Sequence, residues 1–271
     1  MFNPSATAAT FEFRIGFQPM IAADAGQPFA WQAVAIGRCG RSFAAIAASL
    51  APEARPALEA ARITQSIAAA MDAGLGDTDA LLALPLGAGA GMVDGMLTHL
   101  FRTALQHGLS TDRLVIEISA DERGDHDCAA ALAEACTTRG ISVALDCFGA
   151  GPNALKLLAR FTPRFVKLDP SLVRNIDASA SRRLIAESVM RLARNMGVTV
   201  IARGAESRGE HAVLTQMGVR HFQIDAGLMP SQPHLLRREP RTIAATHRRL
   251  AHHQRTMPSR SEAPAGMALA V

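Results

Sequence analysis

A carboxylate and a thiol stand side by side in the stretch VALDCFGAG, residues 143–151, as Asp146 and Cys147. Three apolar residues lead directly into this pair, and an aromatic residue and two glycines follow it. Such a pair can ligate a metal ion, or the thiol can act as a nucleophile when a neighbouring cation lowers its pKa. It can also be what remains of a site that has lost its activity. Residues elsewhere in the chain must decide among these three interpretations.

Other apolar runs stop at residues that could take part in chemistry or shape a site. These residues are Gln32, Pro85, Glu117, Lys167 with Asp169, Arg203 with Glu206, and Gln223. Carboxylates that converge from several strands suit a hard divalent cation such as Mg²⁺. Lys167 is one of two lysines in the chain, whereas arginine supplies the other 26 basic residues. This choice indicates that a compact positive charge matters at position 167.

The spacing of apolar residues predicts short buried strands that alternate with helices. The predicted strands are 13–22, 30–36, 80–86, 113–118, 142–146, 165–169, 199–202 and 220–223, and the predicted helices are 57–73, 93–107, 129–139, 154–159, 181–196 and 210–217. Strands such as VTVIA, residues 198–202, lack polar alternation, which is typical of a parallel sheet with both faces covered. We therefore predict an α/β fold, a (βα)8 TIM-like barrel with its chemistry at the C-terminal strand ends. A doubly wound open sheet is the alternative.

The length of 271 residues suits one barrel domain, and an apolar fraction of 49% allows a large core. We expect a flexible leader at residues 1–10, the barrel at 11–236 and a disordered or helical basic tail at 237–271. The tail carries seven arginines and two glutamates, so nucleic acid, anionic lipid and an acidic protein are candidate partners. Because the tail has no aromatic residue to stack on bases, nucleic acid is the disfavoured partner.

The four cysteines have no spacing typical of a zinc site or a disulfide, which indicates reduced thiols. The first residues lack the apolar core of a signal peptide, and no run of about twenty apolar residues occurs. We therefore expect a cytoplasmic protein with no membrane partner.

The order of several motifs resembles the EAL domain family, barrel phosphodiesterases that hydrolyse cyclic di-GMP with two divalent metal ions. The matching segments are FQPM (17–20), IEIS (116–119), ALDCFGAGPNAL (144–155), FTPRFVKLDPSLVRNID (161–177), VIARGAES (200–207) and FQIDAGLMP (222–230). The resemblance covers about residues 11–233 and is strongest from residue 114 onward. The second half is most similar to EAL domains that accompany blue-light sensor domains.

The resemblance also identifies positions at which this chain departs from the family pattern. It implies that Gln32 replaces a metal-binding Glu, Pro85 a metal-binding Asn, and Cys147 the second Asp of a loop. Arg203 replaces the Glu that opens a later turn, and Ile36 replaces an Arg that contacts the ligand's phosphate. The family residues that remain are Lys167 and Glu206 as catalytic remnants, and Glu117, Asp146, Asp169 and Gln223 as remnants of the metal and ligand pocket.

These substitutions remove negative charge from the strand ends. With the family residues, seven carboxylates would face Lys167, whereas here four carboxylates face Lys167 and Arg203. Such a site should repel two Mg²⁺ ions, so we expect no bound metal, with Mg²⁺ or Mn²⁺ present only if some activity is retained. Bidentate salt bridges from Arg203 to Glu117, Asp146 and Asp169 are expected in place of the metals.

The expected function is that of a catalytically inactive EAL-like regulator that contacts another regulatory protein in signalling, gene regulation or motility. Two alternatives are a cyclic di-GMP receptor without hydrolysis and a residual cyclic di-GMP phosphodiesterase with an altered metal site. Ile36 disfavours the binding of cyclic di-GMP, because it removes the family's phosphate contact. A homodimer is possible, and the sequence does not decide the oligomeric state.

Overall fold

The structure of the chain is a computed structural model that describes residues 11–24, 27–87, 92–120, 126–151, 153–224 and 229–230. The predicted leader and the predicted basic tail lie outside the described residues, so the domain boundaries stay predictions. Among the helices in these ranges, none has the length and apolar character needed to cross a membrane.

Nine β-strands form one sheet that closes into a barrel. They are β1 (Phe13–Ala22), β2 (Pro28–Gly37), β3 (Leu81–Pro85), β4 (Leu114–Ser119), β5 (Ser142–Phe148), β6 (Phe165–Leu168), β7 (Thr199–Arg203), β8 (His221–Gln223) and β9 (Met229–Pro230). The order is β2-β3-β4-β5-β6-β7-β8-β1-β9, and an additional pairing of β1 with β2 closes a ring of eight strands. The predicted barrel is thereby confirmed, and the alternative open sheet is wrong.

Helices follow most of the strands and pack against the outside of the barrel. The α-helices of the described residues are α1 (Phe43–Ala48), α2 (Arg55–Asp72), α3 (Val93–Gln106), α4 (His126–Thr138), α5 (Asn153–Leu158), α6 (Pro170–Val173), α7 (Ala180–Met196) and α8 (Arg208–Gln216). All of them except α1 and α6 coincide with predicted helices to within a few residues. The sequence did not predict α1 and α6, whose six and four residues display at most two turns of a helical period, although the equally short α5 was predicted to within one residue.

The first strand departs from the predicted parallel arrangement. β1 runs antiparallel to both of its neighbours in the ring, β2 and β8. Residues 23–27 alone connect β1 to β2, and a parallel pair would need a crossover of a dozen or more residues. The pairs from β2 to β8 are all parallel, so the C-terminal ends of these strands lie at one end of the barrel.

Two strand ends differ from the prediction. β5 does not stop at Asp146 but continues through Phe148, because Cys147 adopts a φ of 57° and the register with β6 shifts between Leu145 and Phe148. The shift interrupts the regular pairing of these two parallel strands at Asp146 and Cys147. Asp169 lies outside β6 and is the N-cap of α6, where its side chain accepts a hydrogen bond from the Ser171 N–H at 2.8 Å.

The apolar core has an inner and an outer part. The inner part contains one buried residue from each strand from β1 to β7, namely Met20, Ala30, Ala83, Val115, Ala144, Phe165 and Ile201. The outer part lies between the sheet and the helices, so that along β3 Leu82 and Leu84 belong to the outer part and Ala83 to the inner part. This packed interior supports the strand ends above it.

Candidate functional site

Ionisable and amide side chains meet at the C-terminal end of the barrel. We call this group the mouth cluster, and it consists of Gln18, Gln32, Glu117, Asp146, Lys167, Arg203 and Gln223. Strand pairing places its members together, since Gln32 is opposite Gln18 across β1 and β2, and Arg203 is opposite Gln223 across β7 and β8. Six of these seven residues are candidate site residues of the sequence, and Gln18 is the addition.

A buried ion pair lies at the centre of the mouth cluster. The Nζ of Lys167 is 2.7 Å from Oε1 of Glu117 and 3.7 Å from Oδ2 of Asp146. The side chains of Lys167 and Glu117 are 0% and 1% exposed. Burial raises the pKa of Glu117, the charge of Lys167 opposes that rise, and the charge of Asp146 adds to it. Each charge of the pair therefore depends on the other for its compensation inside the protein.

Three glutamines extend the cluster through a chain of hydrogen bonds. The amide nitrogen of Gln32 donates to Oε2 of Glu117. The amide nitrogen of Gln223 donates to Oε1 of Gln32 and, at 2.7 Å, to Oε1 of Gln18. Both oxygens of Glu117 thus accept from protein N–H groups, one from an ammonium and one from an amide.

Arg203 reaches the cluster from the end of β7, but not in the geometry predicted from the sequence. Its Nη1 lies 3.5 Å from Oδ2 of Asp146, at the outer limit of a hydrogen bond, rather than forming a bidentate pair. The close ion pair of the mouth cluster is instead the one between Lys167 and Glu117. Lys167 is fully buried, whereas the side chain of Arg203 is 29% exposed. The other oxygen of Asp146 accepts from the backbone N–H of Cys147 at 2.8 Å.

The thiol of Cys147 is poorly suited to act as a nucleophile. Burial raises its pKa to about 11, and the charge of Asp146 adds to this effect. A hydrogen bond with Ser119 and the charge of Arg203 lower the pKa by less. This raised pKa argues against an activated thiolate at Cys147, which the sequence left as a possibility.

Four other candidate residues lie outside the mouth cluster. Asp169 caps α6, and Glu206 is exposed and pairs with Arg174 at 3.0 Å. Pro85 ends β3 opposite Glu117, and Ile36 is a buried residue of β2. The expectation that Arg203 would bridge to Asp169 does not match this placement, because the N-cap of α6 holds the Asp169 carboxylate.

The residues of the mouth cluster do not fit a pair of divalent cations. N–H groups contact both oxygens of Glu117, and the backbone N–H of Cys147, the ammonium of Lys167 and the guanidinium of Arg203 surround Asp146. A cation bound here would share these carboxylates with the Lys167 ammonium, which would repel it. In the part of the chain that the structure describes, no three His, Cys, Asp or Glu side chains are grouped so that they could hold a metal ion.

Two residues of the site escaped the sequence-based prediction. Gln18 lies in the matched segment FQPM, and its place opposite Gln32 in an antiparallel pair became visible only with the register of β1 and β2. Ser119 forms a hydrogen bond with Cys147 because β4 places it opposite Asp146 on β5. A polar residue at each of these strand positions was the signal that could have identified them.

Comparison with known proteins settles the family. The family model described as EAL domain matches residues 6–223. The chain belongs to the EAL domain family. This finding confirms the membership that the motifs predicted.

Solved structures of other EAL proteins share the fold. A standalone EAL protein from Vibrio cholerae O395, in its c-di-GMP bound form, is 26% identical with a TM-score of 0.72, and the match covers 79% of this chain and 90% of that chain. BlrP1 from Klebsiella pneumoniae, in a complex with calcium and cyclic di-GMP, is also 26% identical with a TM-score of 0.72, and the match covers 86% and 58% of the two chains.

Curated relatives match over shorter segments. The bifunctional diguanylate cyclase/cyclic di-GMP phosphodiesterase MucR of Pseudomonas aeruginosa is 25% identical over 135 residues, which are 49% of this chain and 19% of MucR. The blue light- and temperature-regulated antirepressor BluF of Escherichia coli is 36% identical over 86 residues, which are 32% of this chain and 21% of BluF. These curated relatives thus include a phosphodiesterase and a regulator, and the match spans about a fifth of the length of each.

Proposed function

We propose that this EAL domain does not hydrolyse cyclic di-GMP and that it acts as a regulatory module by contacting another protein. The observation that carries the proposal is the set of partners around Glu117. Both of its oxygens accept from protein N–H groups, those of Lys167 and Gln32, so a divalent cation at Glu117 would have to share each oxygen with a donor and would face the charge of the Lys167 ammonium. Two-metal hydrolysis requires ions that stabilise the attacking and leaving oxygens.

The balance of charge in the mouth cluster supports the same proposal. Two carboxylates, Glu117 and Asp146, face two cations, Lys167 and Arg203. The cluster is therefore formally neutral and offers no net attraction for a divalent ion. Cys147, as a protonated and soft ligand, adds nothing that Mg²⁺ prefers.

Similarity to BluF supports the regulatory part of the proposal. BluF is described as an antirepressor, and the matched segment of 86 residues is 36% identical to this chain. An antirepressor acts on another protein, so an EAL-like segment is compatible with a role in protein contact.

A second candidate function is a cyclic di-GMP receptor without turnover. Two EAL structures at 26% identity hold cyclic di-GMP, which favours a ligand pocket at the same end of this barrel. Against it stands Ile36, an apolar buried side chain where the family resemblance implies a phosphate-binding arginine. We rank this candidate second for that reason.

Two measurements on the full chain test the proposal. Incubation with cyclic di-GMP and Mn²⁺, followed by chromatography of the nucleotides, should leave the ligand intact, while MucR serves as the positive control. Calorimetric titration with cyclic di-GMP in the presence of Ca²⁺ should give no heat of binding. Linear dinucleotide product would overturn the proposal in favour of a residual phosphodiesterase, and binding without product would favour the receptor.

A further inference from the structure

We infer that the N-terminal end of the barrel, opposite the mouth cluster, binds the same end of a second copy of the chain. The surface concerned is the rim. We define it as the turn between β1 and β2 together with, for each strand from β3 to β8, the last turn of the preceding helix and the segment that leads from this helix into the strand. The inference goes beyond the proposed function and does not depend on it, because no residue of the mouth cluster belongs to the rim.

Charge on the rim is divided between two halves of the ring of strands. The half from β1 to β4 carries aspartates, which are Asp24, Asp72, Asp77, Asp79 and Asp112. The half from β5 to β8 carries basic residues and no aspartate or glutamate, and these residues are Arg139, Lys156, Arg160, Arg164, Arg194 and Arg220. All of these acidic and basic residues are exposed. The rim therefore has one acidic half and one basic half.

The acidic half is only partly offset by cations. It also contains His107 and Arg113. The guanidinium of Arg113 donates to the backbone carbonyls of Leu75 and Ala80, and this residue is only partly exposed. The aspartates outnumber this arginine, so the half stays acidic.

The basic half keeps most of its charge as well. Arg139 and Arg160 form ion pairs with aspartates in the first turns of α3 and α4. The other four basic residues of this half form no ion pair with a carboxylate of the described residues, and they are Lys156, Arg164, Arg194 and Arg220. Their charge is available to a partner.

The order of the strands makes the two halves complementary under a two-fold axis. In the ring of eight strands, β3 lies opposite β7. A two-fold axis in the plane of contact that passes through β1 and β5 brings β3 of one copy against β7 of the other, and β4 against β6. The aspartates before β3 then face Arg194, and Asp112 faces Arg164, so each contact occurs twice. Opposite charges placed in this way favour specific association.

Like charges meet only on the axis, where neighbours compensate them. Asp24 would approach its own copy at β1, and the backbone N–H of Ala23 donates to the carbonyl of Arg220, so the start of β8 lies beside it. At the other end of the axis is Arg139, which already has Asp94 as its partner.

The centre of the rim is apolar. Phe29, near the start of β2, and Leu81, at the start of β3, are partly buried and pack against the inner part of the core. The ring of Phe29 lies edge-on to His221, with the centroids 5.0 Å apart. Arg164 lies over the ring of Phe165, 5.0 Å from its centroid. An apolar centre inside a charged periphery is the usual composition of a protein interface.

The divided charge favours a second copy over a partner that carries one sign of charge. A uniformly acidic or uniformly basic surface would be attracted by one half of the rim and repelled by the other. A second copy matches both halves at once.

A pair of charge-reversed variants tests the inference on the full chain. Sedimentation velocity should show a dimer at about 20 mM salt that dissociates at about 0.5 M salt, where charges are strongly screened. Arg164→Glu with Arg194→Glu, and separately Asp79→Arg with Asp112→Arg, should each weaken self-association by on the order of tenfold or more, since like charges then face each other. A mixture of the two double variants should form a dimer again, because opposite charges meet at every contact of the mixed pair.

A matched variant distinguishes the rim from other faces. Arg55→Glu with Arg208→Glu reverses two exposed arginines that begin α2 and α8, away from the rim, and should leave the dimer unchanged. Circular dichroism verifies that every variant is folded. A chain that stays monomeric at low salt would overturn the inference. So would a dimer that both reversed variants retain, which would lie on another face, or a failure of the mixed variants to associate.

Discussion

Lys167 is the single residue on which the mouth cluster depends most, because its ammonium compensates a fully buried carboxylate. Replacing it by an apolar side chain of similar length leaves Glu117 without its counter-charge. We expect Lys167→Met to lower the free energy of unfolding at pH 7 by about 3–5 kcal/mol. Urea denaturation followed by circular dichroism measures this change. The double variant Lys167→Met with Glu117→Gln should recover most of the loss, since it removes both charges.

The loss caused by Lys167→Met should also depend on pH. Burial raises the pKa of Glu117 above its ordinary value of 4.5, so protonation of this carboxyl favours the folded chain. A variant without Lys167 should therefore be least impaired at low pH and lose stability as the pH rises through the folded-state pKa of Glu117. A penalty for Lys167→Met that is the same at pH 5 and pH 8 would contradict the buried charge pair.

Cys147 should be slow to react despite its place at the mouth of the barrel. With a pKa of about 11, roughly one thiol in a thousand is ionised at pH 8, and the thiolate is the nucleophile. Alkylation by iodoacetamide, followed by mass spectrometry of the peptides, should modify the exposed Cys39 far earlier than Cys147. Comparable rates for the two cysteines would show that Cys147 has an activated thiolate.

At the residue scale, the sequence predicted which side chains meet but not how they pair. Six of the seven members of the mouth cluster follow from strand ends and family motifs, because parallel strands end at the same side of a barrel. The partners of Lys167 and Arg203 do not follow, since they depend on side-chain reach and burial. Asp169 was predicted to lie in the pocket because it follows a buried strand. In the structure its side chain caps α6 instead.

The turn after β5 contains a glycine that lies close to α6. Gly149 has a φ of +100°, and a Cβ at this position would overlap the Cδ1 of Leu172 on α6. We expect Gly149→Ala to destabilise the fold by about 1–3 kcal/mol, through backbone strain and overpacking. Thermal unfolding provides the measurement, and Gly151→Ala is the matched control, because a Cβ there meets no atom within 4 Å. Equal effects of the two variants would contradict this account.

At the element scale, the long periodic helices were predictable, whereas the short helices α1 and α6 and the irregular end of β5 were not. The spacing of apolar residues located α2, α3 and α7 within two residues of their observed ends. The extension of β5 past Asp146 requires a positive φ at Cys147, a conformation that a non-glycine residue rarely adopts. β1 is antiparallel to β2 because only residues 23–27 connect the two strands. The sequence analysis did not use the length of this connection when it predicted a parallel sheet.

The response of the whole molecule to divalent cations tests the mouth cluster as a unit. Because its carboxylates are neutralised by protein cations, Mg²⁺ or Mn²⁺ should leave the melting temperature of the chain unchanged. The variant that combines Gln32→Glu, Pro85→Asn, Cys147→Asp and Arg203→Glu should gain stability with Mg²⁺, by about 2.7 kcal/mol at a concentration 100 times its Kd. Differential scanning calorimetry compares the two proteins. An upward shift of the unaltered chain would refute the neutral cluster.

For the molecule as a whole, the closed barrel was predictable because eight buried strands at regular intervals leave few other arrangements. A groove between α5, α6 and α7 was not, because the sequence shows apolar residues without showing which of them share a surface. Leu155 and Leu184 lie 29 positions apart in sequence and line the same groove in the folded chain.

The hydrogen bond from Gln32 to Glu117 also bears on the evolutionary history of the chain. A glutamate at position 32 could still accept from Gln223, but it would no longer donate to Glu117 and would set two carboxylates against each other. A single back-mutation therefore lowers stability before any metal can return, because Arg203 and Pro85 still oppose the ion. Under the proposed function, several of these positions would have to change together before a two-metal site could form, so the proposed loss of hydrolysis would be easier to acquire than to reverse.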